Sequence, residues 1–120
     1  MGLTRDQLLQ PRALPRESVP MPEWGEGEEV WVRTISGTER DAFEQASIEV
    51  RGKSREANLR NIRARLCVLC MCDEQGKRIL EDKDAEAFGA QPAPVLDRVF
   101  EVAQRLNGLG AKDVEALAKN

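Results

Sequence analysis

The sequence predicts an α+β fold, mainly helical, with about four to five helices and one N-terminal β-hairpin packed on them. Three observations carry this expectation. Apolar residues recur at helical spacing through most of the chain after residue 36. The run Val30-Trp31-Val32-Arg33-Thr34-Ile35 is β-branched and aromatic and alternates as a strand does. A length of 120 residues suits one domain with one modest core. The expected organisation is a short helix and flexible arm over residues 1–17, then a single α+β domain over residues 18–120.

The elements follow in order. Thr4 and Gln7 have capping-box spacing, and Leu3 and Leu8 have hydrophobic-staple spacing, so a short helix starts there. Pro11 and Pro15 stop it. Residues 18–24 form an edge strand, because Pro20 and Pro22 cannot donate ladder hydrogen bonds. Gly25-Glu26-Gly27 turns the chain into a second strand over residues 29–35. Alternation sends Val30 and Val32 to one face and Trp31, Arg33 and Ile35 to the other. Two strands alone are marginal, so the hairpin must pack on helices.

Ser36-Gly37-Thr38-Glu39 is a capping box that opens a helix through about Glu49, with Phe43, Ala46 and Val50 at helical spacing. Residues 51–56 read as a polar loop. A second helix is expected over residues 57–73, with Leu59, Ile62, Leu66 and Leu69 as its stripe. Beyond Leu66 it is apolar all round, which marks the central helix. Gly76 supplies the positive φ of the turn that follows. A short helix over residues 82–88 is ended by Gly89. Pro94 suits the first turn of a long helix over residues 93–106, which carries Val95, Val99, Val102 and Leu106 and is closed by Asn107-Gly108. A last helix starts near Gly110 and frays at Asn120.

Composition narrows the chemistry. The chain has no His, the commonest general acid/base and transition-metal ligand. Its net charge of −3 does not suit a general polyanion binder. Trp24, Trp31, Phe43, Phe88 and Phe100 are too scattered for a base-stacking platform. The first ten residues are too charged for a secretory signal, and the longest apolar run, residues 66–72, is far too short for a membrane span. Three cysteines in one segment are no disulfide framework and point to a reducing cytosol.

Three clusters invite a functional reading. Cys67, Cys70 and Cys72 suggest a metal or redox site. No second Cys pair or His completes four zinc ligands, so small buried hydrophobes are the preferred reading. Arg51, Lys53, Arg55, Arg60, Arg63 and Arg65 suggest a small regulatory nucleic-acid binder. Glu49 and Glu56 interrupt the run, which favours a solvated helix face. Glu81, Asp82, Asp84 and Glu86 lack EF-hand spacing and read as acids complementing a helix dipole. No nucleophile elbow, phosphate-binding glycine loop or paired catalytic carboxylates are found, so no enzyme and no cofactor is expected.

Three strings then matter together. Residues 30–44, VWVRTISGTERDAFE, join a strand to a capped helix. Arg63-Ala64-Arg65-Leu66 leads to Cys72-Asp73-Glu74-Gln75-Gly76-Lys77-Arg78. Residues 96–109, LDRVFEVAQRLNGL, form the third. In this order they resemble the tail assembly chaperones of long-tailed, siphovirus-type bacteriophages and prophages, over about residues 23–119. Departures from the family pattern sit at helix starts: Glu81 in place of a Thr or Ser cap, Gly110 in place of Ser, and Pro92 and Pro94 before the long helix.

The resemblance implies a chaperone in the cytoplasm of the bacterial host, absent from the mature virion. It would bind the tape measure protein and keep it soluble while tail tube protein polymerises around it. A homo-oligomer is a further expectation, and neither a membrane nor nucleic acid is an expected partner. The expected contact residues are Trp24 and Trp31 on the hairpin, and Val99, Phe100, Leu106, Leu109, Val114 and Leu117 on the last two helices. A core role competes with the contact role at each of them.

Overall fold

Where the chain pairs with itself is decided largely by its prolines and arginines. The computed structural model describes residues 2–49 and 55–118. Val50, Arg51, Lys53, most of the expected loop and the end of the last helix lie outside them. Among the described residues there are six α-helices and a three-stranded antiparallel sheet. No described helix is long and apolar enough to cross a membrane.

Helix α1 (Arg5–Leu9) carries the expected capping box, with the Thr4 hydroxyl accepting from the Gln7 N–H. None of its residues is buried. Strand β1 (Arg16–Pro20) pairs antiparallel with β2 (Glu29–Arg33), in register from Arg16 opposite Arg33 to Pro20 opposite Glu29. The first strand therefore starts two residues earlier than expected and ends at Pro20. Met21 N–H still donates to Glu28 O at 2.8 Å. Pro22 cannot continue the ladder, and Pro22–Trp24 coil into a 3₁₀ turn. Trp24 thus sits on the connection and not on a strand.

Helix α2 (Gly37–Glu49) opens on the expected box, in which Ser36 Oγ accepts from Glu39 N–H and the Glu39 carboxylate accepts from Ser36 N–H, both at 3.1 Å. Helix α3 (Arg55–Cys70) departs from the sequence reading. It leaves the helix at Cys70, and Met71–Cys72 form β3 on the free edge of β2, with Trp31 opposite Cys72 and Val32 opposite Met71. The expected hairpin is therefore a three-stranded sheet with β2 in the middle. The physical reason lies at the α3 C-terminus. Arg33 donates to Leu69 O at 2.7 Å, and Arg78 donates to Val68 O at 3.2 Å. Two guanidinium groups satisfy the last carbonyls and complement the negative end of the helix dipole, and the backbone is released to the sheet.

Asp73 Oδ1 accepts from the Gln75 and Lys77 N–H groups in the next turn, where Gly76 has φ +86°. A 3₁₀ turn, Asp82–Asp84, leads into α4 (Ala85–Gly89). Gly89 is helical and not a left-handed cap. A Cβ there would lie 3.3 Å from Ala64 Cβ, so its role is to let α4 approach α3 closely. Helix α5 (Ala93–Asn107) ends on Gly108 at φ +65°, and α6 (Ala111–Ala118) follows, with Asp113 accepting from Gly110 N–H at 2.9 Å.

The core is the meeting of three surfaces. Val19, Val30 and Val32 come from one sheet face, Leu66 to Cys70 from α3, and Val95, Val99 and Ala103 from α5. Leu109, Val114 and Ala118 close the end. Helix α3 touches α4, α5, α6 and β2, which makes it the central element the sequence predicts. Asn107 latches α5 to the sheet: its side chain accepts from Ile35 N–H and donates to Ala103 O, both at 2.8 Å.

Candidate interaction surfaces

Most described side chains of the sequence-predicted chemical clusters are held in the fold, and those of Arg51, Lys53, Arg55 and Arg60 lie outside the described ones. The three cysteines are buried. Burial pushes the Cys70 thiol up to about 12 and raises those of Cys67 and Cys72 as well, so the reactive thiolate is suppressed at neutral pH. In the basic stretch, Arg63 pairs with Asp97 at 3.2 Å. The Arg65 guanidinium lies 5.3 Å from the Phe43 ring centroid and donates to Ser47 Oγ at 2.9 Å. Asp82 pairs with Arg78 at 2.8 Å, and Asp84 accepts from Glu81 N–H at 2.8 Å. Among the described residues no cluster of three His, Cys, Asp or Glu could hold a metal ion.

What remains is surface that can take an apolar partner. Leu3, Leu8, Leu9 and Leu14 are exposed along the N-terminal arm, Trp24 is 52% exposed on the β1–β2 connection, and Ile79 is exposed after the Gly76 turn. A cleft of about 210 Å³ opens between α2 and α3. Ala42, Phe43, Ala46 and Leu69 give it an apolar lining, with Glu39, Arg65, Arg78 and Asp82 around them. Every one of those charges is engaged within the chain. Arg33 forks both Glu39 oxygens at 2.9 and 3.1 Å, which holds the Glu39 carboxyl below its ordinary value. Its described lining offers shape and apolar contact, with each charged group already engaged.

The expected contact residues divide on inspection. Trp24 is exposed. Trp31 is half-buried with the Arg16 guanidinium 5.9 Å from its ring centroid, and its indole N–H is buried without a partner. Phe100, Leu106 and Leu117 are partly buried against the core. Val99, Leu109 and Val114 are inside it, at 0%, 7% and 5% exposure. In the single chain those three present almost no surface: Val99 on α5, Leu109 on the α5–α6 connection and Val114 on α6 all join the core cluster. Sequence reading uses Leu3 and Leu8 only as a helix-start staple, and no motif marks the cleft. Four leucines within twelve residues that lack a matching amphipathic partner are the signal that could have marked the arm.

A phage tail assembly chaperone family model matches residues 4–120. The chain belongs to this family. Among solved structures, the tail assembly chaperone of bacteriophage HK97 shares the fold, with a TM-score of 0.60 and 22% identity over 78% of this chain and 85% of that one. No curated protein matches the chain. In this tail assembly chaperone the strings that carry the sequence resemblance turn out to be scaffold. Arg33 and Glu39 come from the first, Arg78 from the second and Asn107 from the third. They cap α3 and tie α5 to β2. The exposed apolar residues lie mostly outside them.

Proposed function

We propose that this chaperone binds the tape measure protein of its phage or prophage and keeps it soluble while tail tube protein assembles around it. It acts in the host cytoplasm, does no bond-making chemistry and is left out of the finished virion. The observation that carries this reading is the family match across residues 4–120. The physics agrees with it. A long helical client exposes apolar stripes that aggregate unless they are covered. A binder for them needs apolar surface together with enough charge to stay dissolved, and here exposed Trp and Leu side chains sit on a chain that is 32% charged.

Trp24 is the first contact residue of this proposal, since an exposed indole offers a large rigid apolar face. Trp31, Phe100, Leu106 and Leu117 supply the partly exposed margin, also in self-association. Val99, Leu109 and Val114 act by holding α5 and α6 in place.

The test is co-purification. A tagged tape measure protein, co-expressed with this chain, is expected to retain it through washing. Trp24→Ser should reduce the retained amount roughly tenfold or more, the loss typical of a central aromatic contact, while its melting curve stays that of the parent. A tape measure protein that retains no chain would remove the proposal.

A further inference from the structure

The tip of the β1–β2 hairpin is apolar, acidic and closed by its own hydrogen bonds. Residues 22–29 are all exposed and hold four Glu and no Lys or Arg. Trp24 stands among them at 52% exposure. Chain geometry keeps the acids close to it. Glu26 is two residues on, at most about 7 Å from Trp24 between Cα atoms. Gly25 O accepts from Glu28 N–H at 3.2 Å, so Glu28 and Glu29 return beside the residue that follows Trp24. Met21 N–H donates to Glu28 O at 2.8 Å and closes the tip, and Trp24 N–H donates to Met21 O at 3.1 Å. Gly25 at φ +138° and Gly27 at φ +80° take the backbone angles this turn requires. The cation held against the tip is already committed, since Arg98 forks both oxygens of Glu23 at 2.7 and 2.8 Å. Among the described residues, Glu26, Glu28 and Glu29 have no ion-pair partner.

We propose that this tip takes a cationic apolar segment: an apolar side chain packs on the Trp24 indole while Lys or Arg residues flanking it face Glu26, Glu28 and Glu29. The inference rests on the chaperone reading for the source of that segment, the tape measure protein. Charge selects the occupant. An indole alone takes any apolar side chain of suitable size. Three unpaired carboxylates beside it repel a segment with acidic flanks and attract one with basic flanks, both during approach and in contact. Lys and Arg also bring aliphatic stems that lie along apolar surface, and their cations favour the face of an indole ring. The other exposed apolar residues lack such a collar. The arm leucines stand with Arg5, Asp6 and Arg12, and Ile79 follows Lys77 and Arg78. A turn already held by its own backbone hydrogen bonds loses little freedom when a partner settles on it.

The probes are two labelled helical peptides that share one leucine stripe, flanked by Lys in the first and by Glu in the second. Their binding to the full-length chain is followed by fluorescence anisotropy at low and at moderate salt. The Lys peptide is expected to bind about tenfold more tightly than the Glu peptide at low salt, and the gap to narrow as salt rises. Glu26→Lys/Glu28→Lys/Glu29→Lys should reverse the order of the two peptides, and Trp24→Ser should weaken both about tenfold. All three Glu side chains are exposed, so the triple variant should melt with the parent. Equal affinities in the parent, or no binding of the Lys peptide, overturn the proposal without any variant. An unchanged order in the folded triple variant overturns it too. So does self-association of the parent that the triple variant loses, which would place a second copy on the tip. Retention by tagged tape measure protein separates this proposal from the chaperone reading. Undiminished retention of the triple variant overturns the cationic segment and leaves the chaperone role standing, whereas a Lys preference with no retention of the parent removes the chaperone role alone.

Discussion

Replacing Arg33 by Ala is expected to lower the unfolding free energy by about 3 kcal/mol, as seen in the urea midpoint. For a domain whose total stability is about 5–15 kcal/mol this is a large fraction. Arg33 is a charged residue at 8% exposure. Its guanidinium joins three elements: it sits on β2, caps Leu69 O at the end of α3, and forks Glu39 in the first turn of α2. Removal leaves the carbonyl without its donor, frees α2 from the sheet and loses the packing of the aliphatic stem. Arg33→Lys should recover only part of the loss, since one ammonium cannot serve the fork and the carbonyl together. Arg105→Ala, which breaks an exposed pair with Glu17, should move the midpoint far less.

Acid provides a second readout of the same contact. The hydrogen bond from Arg33 holds the Glu39 carboxyl below its ordinary 4.5. A depressed carboxylate adds stability that is complete above the unfolded value and disappears as pH falls through the folded one. The parent should therefore lose stability on acidification below about 4.5, and Arg33→Ala should lose less over that range. Among the described residues, Glu17 and Glu23 contribute to the slope that remains. Glu17 is lowered by its hydrogen bond from Arg105, and Glu23 is lowered to about 2 by its hydrogen bond from Arg98.

Leu66→Ala is expected to cost about 3–5 kcal/mol and to unfold a large fraction of the chain at physiological temperature. Leu66 is fully buried on α3, in the core cluster that takes in residues of the sheet and of α5. Truncation leaves a cavity among residues fixed by the sheet and by α5, with little freedom to collapse into it. The same substitution at Leu9, 64% exposed, should change the midpoint by less than about 0.5 kcal/mol. The two leucines differ only in what covers them, so thermal melts of the pair separate residues that make the fold from residues available to a partner.

Much of the fold was legible because short-range chemistry specifies it. Thr4 with Gln7, Ser36 with Glu39, and Gly108 all act at the helix ends where their spacing puts them. The all-round apolar character after Leu66 did mark the central helix. What sequence reading missed was non-local. Met71–Cys72 have no strand signature, and they pair because β2 has an open edge and two distant arginines end α3. Gly89 looked like a cap, but its role is a contact with Ala64, twenty-five residues earlier. The cleft draws residues from α2, α3 and the 3₁₀ turn at Asp82, and no local window contains it. Stripe periodicity places Val99, Leu109 and Val114 on an apolar face without telling whether the protein's own core or a partner occupies that face. Here the core does.

The proposed function is one chain shielding the apolar surface of another, and solubility reads it out. The tape measure protein of the same phage or prophage should be expressed alone and together with this chain, and its soluble and pelleted fractions compared. The tape measure protein is expected to move from pellet to supernatant only when the chain is present, in a complex with it. An unchanged soluble fraction, with both proteins expressed and this chain folded, would contradict it.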